Sequence, residues 1–295
     1  MSSRYRIFLY LALVTSPLLA QNKQVLYDFT EIPQSLIINP GIETDFQWYA
    51  GIPLLSGLSG YGGSNGISVT DIFADDGLDI NDKVRDRLVA GLTPRDEFSQ
   101  NLQIELFNGG YRGFNPDVFY SFGAYVEMDN ILYWPTDYAL LAFEGNAGRL
   151  NQRFDLGDLK TRGSMVAVYH FGVNKKMNKK LTIGARAKLY SGIFDFNSTN
   201  NKGYLVNTQG QNNRLATTLS ADLKLRSSGF GSLNNSDDQA QLTSAVLKRA
   251  LFGGDLGVGA DLGFTYKLNE RTSITGSVLD LGFMYHSGDV YTLSL

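Results

Sequence analysis

The sequence predicts an all-β fold: an antiparallel transmembrane β-barrel of the outer membrane, preceded by an export signal. Two observations predict it, namely the alternation of apolar and polar residues along several segments and a composition rich in Gly and aromatic residues. The 295 residues include 32 Gly, 18 Phe and 16 Tyr, and 43% of the chain is hydrophobic. No long apolar run follows residue 20. With about ten residues plus a connection for each strand, we expect roughly ten to fourteen strands, counting any that are missing if the chain is truncated.

The composition also excludes several classes of function. The chain has no Cys, which excludes disulfides, thiolate metal sites and a Cys nucleophile. Two His are too few for a His-built metal cluster. A net charge of -3 without a basic cluster argues against nucleic acid as a partner. We therefore expect a protein that is not an enzyme and that carries no cofactor or metal.

Residues 1–20 form the predicted signal peptide. Arg4 and Arg6 supply its positive start, an apolar stretch at 7–14 follows, and Pro17 breaks the helix. The apolar stretch is too short to cross a bilayer. We expect Sec-type export to the outer membrane of a Gram-negative bacterium, with residues 21–295 as a single barrel domain.

The predicted strands alternate most strictly at residues 183–193, 215–225 and 256–266. One side of each such strand suits lipid and the other suits a wet interior. Charged residues on the polar side are therefore candidates for the barrel lumen: Arg186, Lys188, Asp222, Lys224, Arg226 and Asp261. They could line an open pore or fill an occluded barrel with ion pairs, and the sequence leaves both open.

Connections between the predicted strands are of two lengths. Short polar turns at 174–180 and 268–272 indicate antiparallel hairpins. Longer polar connections at 197–213 and 227–241 are expected at the opposite end of the sheet, as in outer-membrane barrels.

Two segments have helical spacing instead, and we place both in loops or a plug. Residues 81–92 carry Val84, Leu88 and Leu92 on one side, with Pro94 beyond. Residues 237–251 show a similar pattern ahead of a Gly-Gly pair.

Motifs that resemble chemical sites have simpler explanations. Ser64 lies in a G-x-S-x-G match, but 67–70 looks like a strand where a nucleophile elbow needs a helix. The acidic loop at 75–82 lacks the EF-hand pattern, and Asp79 or Asn81 as a helix cap explains it better than calcium. Gly257, Gly259 and Gly263 do not have dinucleotide-binding spacing and fit the inward side of a curved strand. We expect His170 and His286 to be ordinary side chains.

A family resemblance begins at Asn39-Pro40-Gly41, which leads into the aromatic segment 46–54. This start, together with the segment 277–283, is similar to an uncharacterised, domain-of-unknown-function branch of outer-membrane β-barrels. That branch is related to the PorP/SprF-like and PorV-like barrels of type IX secretion and gliding systems. The resemblance covers most of residues 28–295. It implies a barrel in contact with outer-membrane lipid and with other envelope proteins, and it brings no catalytic residues.

The C-terminus departs from this pattern. Such barrels usually end on an aromatic residue, whereas this chain ends in Leu293-Ser294-Leu295. By analogy with the family, this departure leaves open whether the last strands are missing, in which case the barrel would not close alone.

Three functions remain open at this point. The first is a structural or accessory component of an envelope assembly, of secretion or gliding type. The second is an outer-membrane channel or transporter for a small solute, and the third is a secreted soluble β-sandwich or adhesin. A hydrolase would depend on Ser64.

Overall fold

The computed structural model describes residues 26–294 except 28, 67, 94, 135, 199–200, 212–213, 235–237 and 287–289. The predicted signal peptide at 1–20 lies outside the described residues. Within them, no helix is both long and apolar enough to cross a membrane.

Strands make up most of the described chain. They are β1 (Trp48–Ala50), β2 (Leu58–Ser64), β3 (Glu97–Arg112), β4 (Val118–Tyr133), β5 (Arg153–Asp155), β6 (Thr161–Lys176), β7 (Leu181–Ser198), β8 (Lys202–Gln209), β9 (Leu215–Asp222), β10 (Lys224–Ser228), β11 (Asp255–Asn269), β12 (Thr272–Tyr285) and β13 (Val290–Ser294). The helices are α1 (Ser35–Ile38), α2 (Val69–Phe73), α3 (Ile80–Ala90), α4 (Thr136–Phe143), α5 (Phe230–Asn234), α6 (Gln239–Lys248) and the π-helical turn π1 (Arg249–Gly253).

The strands form two antiparallel sheets, so the predicted all-β antiparallel fold is confirmed. In the ten-stranded sheet, the long strands lie in the order β12, β11, β7, β6, β4, β3, and both β1 and β2 pair with the outer edge of β3. β10 pairs with the end of β7 and also with β13. A separate three-stranded sheet contains β5, β8 and β9. Among the described residues, no pairing joins β12 to β1 or β2, and the sheet is therefore open.

Connections at the two ends of the long sheet differ in length. Short turns at 113–117, 177–180 and 270–271 join β3 to β4, β6 to β7 and β11 to β12. Both predicted hairpins are confirmed by this pairing. The long connections leave from the opposite end and carry most of the helices. We call the two ends the short-turn end and the long-connection end.

Some local predictions need correction. The strand predicted at 215–225 is two strands in different sheets, because the chain leaves β9 at Asp222 and joins β7 through β10. The connection predicted at 197–213 contains β8. The two predicted helices are confirmed as α3 and α6, although the second continues into π1.

On the long sheet, the polar face is buried and the apolar face is exposed, which is the reverse of a water-soluble sheet. Along β11, Asp261 is 0% exposed and its polar and Gly neighbours on the same face are buried or half-buried, whereas the alternate residue Leu262 is 51% exposed. On β7, the same holds for Arg186 at 2% and Leu189 at 50%. We call the face that carries Arg186 and Asp261 the inner face and the other the outer face.

Helix α6 and π1 cover one part of the outer face. Ala250 packs against Ala167 and Ile193, and Phe252 stacks on Tyr169 with ring centroids 4.6 Å apart. This explains why Ala167 is buried on a face that is otherwise apolar and exposed.

Candidate functional site: the filled polar interior

The described part of residues 26–47, which we call the interior segment, crosses the inner face of the long sheet. Near β12, the Tyr27 hydroxyl lies 3.3 Å from Ser277 Oγ. At the other side, Arg112 at the end of β3 donates through Nε to the Phe46 carbonyl at 3.1 Å and through Nη2 to the Thr44 carbonyl at 2.5 Å. The segment therefore joins strands at both sides of the sheet.

Asn39-Pro40-Gly41, the motif that carried the family resemblance, lies at the centre of this contact. Asn39 is 0% exposed, and its Nδ2 donates to Thr275 Oγ1 at 2.6 Å. Its Oδ1 accepts from the N–H of Gly41 at 2.8 Å and so fixes the turn. From the sheet, Asn174 Nδ2 donates to the Pro40 carbonyl at 2.8 Å. The motif thus binds the segment to β6 and β12.

Two glycines of the wall let the backbone of the motif approach this closely. A Cβ at Gly184 on β7 would lie 1.8 Å from the Pro40 carbonyl oxygen. A Cβ at Gly263 on β11 would lie 2.1 Å from Asn39 Oδ1. Any larger residue would push the interior segment away.

A small apolar cluster completes the contact. Leu36 and Ile42 of the interior segment pack on Phe119 of β4, with Tyr49 stacked on the Phe119 ring at a centroid distance of 6.0 Å. Arg186 donates through Nη1 to the Ile37 carbonyl at 3.0 Å and also donates to the Leu36 carbonyl. Both apolar packing and charge-assisted hydrogen bonds hold the segment to the wall.

The candidate lumen residues Arg186, Lys188 and Asp261 form one buried ion network. Asp261 Oδ2 lies 3.2 Å from Arg186 Nη1 and 3.0 Å from Lys188 Nζ. Lys188 Nζ is also 2.6 Å from Asp280 Oδ1, to which the Tyr190 hydroxyl donates at 2.9 Å. The two buried cations are thus paired with the buried Asp261, and Lys188 is paired as well with Asp280, whose side chain is exposed.

Asp280 owes its position to a β-bulge. Between Ala260 and Leu262 the register of β11 and β12 shifts by one residue, and Asp280 has a φ of 57°. Its backbone N–H donates to Asp261 Oδ1 at 2.8 Å. Left-handed backbone at a non-Gly residue is costly, and here it places a carboxylate beside Lys188. The sequence did not indicate this residue.

The other three candidates lie elsewhere. Asp222 ends β9 in the three-stranded sheet, and it is exposed. Lys224 and Arg226 belong to β10, where Arg226 pairs with Asn197 of β7, and both are exposed at the long-connection end. A role for any of the six residues in lining a pore stays a prediction.

A polar cavity of about 990 Å³ opens on the inner face at the long-connection end. We call it the mouth cavity. Its walls come from β2, β3, β4, β6 and β7, and its described lining contains no histidine. The lining includes Tyr61, Ser64, Asn101, Asp129, Arg162 and Asp195.

Ser64 belongs to this lining, and its hydroxyl accepts from the N–H of Gly66 at 3.2 Å. Within the described residues of the predicted strand 67–70, the prediction is wrong, since Val69–Phe73 is a helix that Ser68 caps through a reciprocal pair of hydrogen bonds with Asp71. The capping prediction for the acidic loop is confirmed, because Asp79 Oδ1 accepts from the N–H of Asn81 at 2.8 Å at the start of α3. Ile67 lies outside the described residues.

The two histidines have different surroundings. His170 lies on the inner face with its ring 5.9 Å from the Tyr125 ring. His286 Nδ1 lies 2.9 Å from Asp255 Oδ2, the same oxygen to which Ser228 donates. Because Ser228 and His286 contact one carboxylate oxygen, the three residues do not form a nucleophile–base relay. They tie β10, β11 and the end of β12 together.

The fold and the site define an antiparallel all-β protein whose polar inner face is partly covered by the interior segment. The chain belongs to a family of unknown function, DUF5723, whose profile matches residues 40–295. No curated protein and no solved structure matches the chain. The match begins at Pro40, inside the motif that holds the interior segment.

Proposed function

We propose that the protein is a non-enzymatic β-barrel of the outer membrane that serves as a structural or accessory component of an envelope assembly. The reversed burial of the long sheet carries the proposal. A water-soluble sheet buries its apolar face, whereas here Arg186 and Asp261 are buried and Leu189 and Leu262 are half-exposed. An apolar outer face around a polar interior suits a lipid environment.

The arrangement of the connections supports the same proposal. Short turns at one end and long connections at the other are the pattern of outer-membrane barrels. Exposed aromatic residues stand on the outer face near both strand ends, as an interfacial girdle requires: Phe171, Phe264 and Tyr266 nearer the short turns, and Phe283 and Tyr285 nearer the long connections.

The proposal includes closure of the sheet. In hydrocarbon, each unsatisfied backbone N–H or C=O costs several kcal/mol, and the edges at β12 and at β1 and β2 must therefore be paired. We propose that these edges meet in the membrane.

The interior segment favours a structural role over an open channel, because it covers part of the inner face. The interior segment contacts β3, β6, β7, β11 and β12, and the ion network of Arg186 lies directly beneath it. The likeness of the Asn39-Pro40-Gly41 start to secretion and gliding barrels supports an envelope assembly as the partner.

Membrane extraction followed by gel migration tests this proposal. Isolated outer membranes are washed with alkaline carbonate, solubilised in detergent, and run boiled and unboiled. We expect the protein to resist the wash and the unboiled form to run faster, as a closed barrel does. Recovery in the detergent-free soluble fraction, without a shift, would overturn the proposal in favour of a secreted soluble β-protein.

Solute transport is the second candidate, and the polar inner face with its Arg186–Lys188 pair favours it. Transport requires that the interior segment move. The double substitution Asn39→Ala with Asn174→Ala removes four hydrogen bonds between segment and wall. Asn39 donates to Thr275 and to the Phe264 carbonyl, and Asn174 donates to the carbonyls of Pro40 and Ile42. A conductance in planar bilayers that rises in this variant, with heat-shifted migration retained, would support transport. An unchanged absence of conductance would argue for the structural role.

A further inference from the structure

The mouth cavity is built from neighbouring residues of five paired strands. Tyr61 pairs with Asn101, Asn101 with Asp129, Asp129 with Ser164, and Ser164 with Asp195. Residues opposite each other in a sheet point to the same face. One row of polar side chains therefore crosses the cavity on the inner face.

A second row lies closer to the long connections, at the next position on the inner face of each strand. Ser99, Ile131, Arg162 and Asn197 are opposite one another in the same register. Because both rows stand on regular strands, their spacing is fixed by the sheet and not by a loop.

Hydrogen bonds hold the floor of the cavity in place. Asn101 is 9% exposed, and its Nδ2 donates to Glu127 Oε1 at 3.0 Å and to Asp129 Oδ1 at 2.6 Å. Tyr61 is 43% exposed, and its ring lies over Gly63, where a Cβ would be 2.3 Å from the Tyr61 hydroxyl. The missing side chain at Gly63 thus lets the ring lie along the cavity wall.

The chemistry of the lining narrows the class of ligand. Nine of the sixteen lining residues carry amides or hydroxyls, which both donate and accept, and the ring of Tyr61 adds an apolar surface. Glu97, Asp129 and Asp195 outnumber the single Arg162 of the lining, which disfavours polyanions. Within the described residues, no three His, Cys, Asp or Glu side chains are grouped to hold a metal ion.

We infer that the mouth cavity binds a short, neutral oligosaccharide. Sugar hydroxyls can satisfy donors and acceptors of both rows at once, and the C–H side of a sugar ring can pack on Tyr61. A volume of about 990 Å³ is at the upper end of small-ligand pockets and has room for several sugar rings. This inference does not depend on a membrane location, because the cavity belongs to the folded sheet itself.

Titration calorimetry on the purified, folded full-length chain tests the inference. The probes are neutral hexasaccharides of glucose, mannose, galactose and N-acetylglucosamine, with a detergent-dispersed glycolipid carrying the best of them as a further probe. We expect at least one free hexasaccharide to bind with a Kd on the order of 0.1–1 mM. Tighter binding of the glycolipid would also support the inference and would identify a lipid-linked sugar as the source.

Substitutions in the lining locate the binding. Tyr61→Ala should weaken binding about tenfold, as expected for loss of one aromatic platform, while Tyr61→Phe should retain most of it. Ser164→Ala provides a second test on another strand. Tyr266→Ala is the matched control, because this tyrosine is 38% exposed but lies on the outer face of β11.

Three results would overturn the inference. The first is that no neutral hexasaccharide binds the folded chain at about 10 mM, well above the expected Kd. The second is that Tyr61→Ala and Ser164→Ala bind as tightly as the unaltered chain. The third is that the polyamine spermidine binds more tightly than every sugar, which would mean that Asp129 and Asp195 select cations.

Discussion

Arg186 and Asp261 lie opposite each other on β7 and β11 and form a buried ion pair. The Arg186 guanidinium also donates to the carbonyls of Leu36 and Ile37 in α1. A single side chain thus bonds to both the sheet and the interior segment. Because the buried guanidinium of Arg186 needs the two carbonyls of the segment as acceptors in addition to Asp261, we expect the sheet and the segment to fold together.

Removing the Asp261 carboxylate should strongly reduce the stability of the protein. Asp261→Ala removes the carboxylate that the buried Arg186 and Lys188 share, and we expect the free energy of unfolding to fall by about 3 to 5 kcal/mol. Urea titration followed by the fluorescence of Trp48 and Trp134 measures this change.

Asp222→Ala is the control for that substitution, since Asp222 is exposed at the end of β9. It should change stability by about 0.5 kcal/mol or less. Equal effects of the two substitutions would show that the buried network contributes nothing.

The close approach of Pro40 to Gly184 gives a second prediction. Gly184→Ala places a methyl group 1.8 Å from the Pro40 carbonyl oxygen, and the clash involves backbone that cannot rotate away. We expect a loss of about 1 to 3 kcal/mol of stability from overpacking. Protease sensitivity of the interior segment should increase in parallel.

Gly62→Ala is the matched control within a strand of the same sheet. A Cβ there meets no atom within 4 Å. If Gly184→Ala is as stable and as protease-resistant as Gly62→Ala, the described contact between the Asn39-Pro40-Gly41 motif and the wall is wrong.

The sequence predicted the strands of the long sheet better than the contacts that are made on its inner face. Alternation along β7 and β11 placed Arg186, Lys188 and Asp261 on the polar face of their strands. This was predictable because the alternation of side chains between the two faces depends only on neighbouring residues in the sequence. It did not show that they pair with each other or with Asp280, since the register between strands and the bulge at Asp280 depend on non-local pairing. The sequence showed the motif Asn39-Pro40-Gly41, but it did not show that the motif contacts Gly184 and Gly263.

The segment 215–225 was wrongly predicted as a single strand. Its alternation is regular, yet β9 and β10 belong to different sheets. The chain changes its pairing partner at Leu223, from β8 to β7. This change cannot be read from the sequence, because a strand in either sheet has the same alternation of apolar and polar residues.

The acidic loop before α3 gives a prediction about pH. The Lys83 ammonium donates to Asp76 Oδ1, and this hydrogen bond holds the pKa of Asp76 below its ordinary value of 3.8. Because the pKa is lowered in the folded chain, the contact is complete above the ordinary value and is lost as the pH falls through the lowered one.

Lys83→Met should therefore raise the pKa of Asp76 towards its ordinary value. Carboxyl ¹³C NMR, with the signal assigned through Asp76→Asn, measures the shift. Lys160→Met is the control, since Lys160 Nζ lies 3.5 Å from Asp158 in a different connection. An Asp76 signal that titrates at the same pH with and without Lys83 would contradict the described hydrogen bond.

A charge on the outer face distinguishes lipid from water as the neighbour of the sheet. Leu262 stands on the outer face in the middle of β11 and is 51% exposed. If the outer face contacts lipid, Leu262→Arg should cost about 2 to 4 kcal/mol, the range for Arg at the middle of a membrane barrel. If the chain is a soluble β-protein, the same substitution is an ordinary surface change of about 0.5 kcal/mol or less.

Leu219→Arg makes the comparison internal to the chain. Leu219 is 62% exposed on β9 in the three-stranded sheet, which lies beyond the long-connection end of β7. Refolding into lipid vesicles, followed by urea titration, should find Leu262→Arg destabilised and Leu219→Arg close to the unaltered chain. Because both positions are exposed leucines in strands, a difference between them has to come from what surrounds the outer face of the long sheet. Equal tolerance at the two positions would mean that water surrounds both.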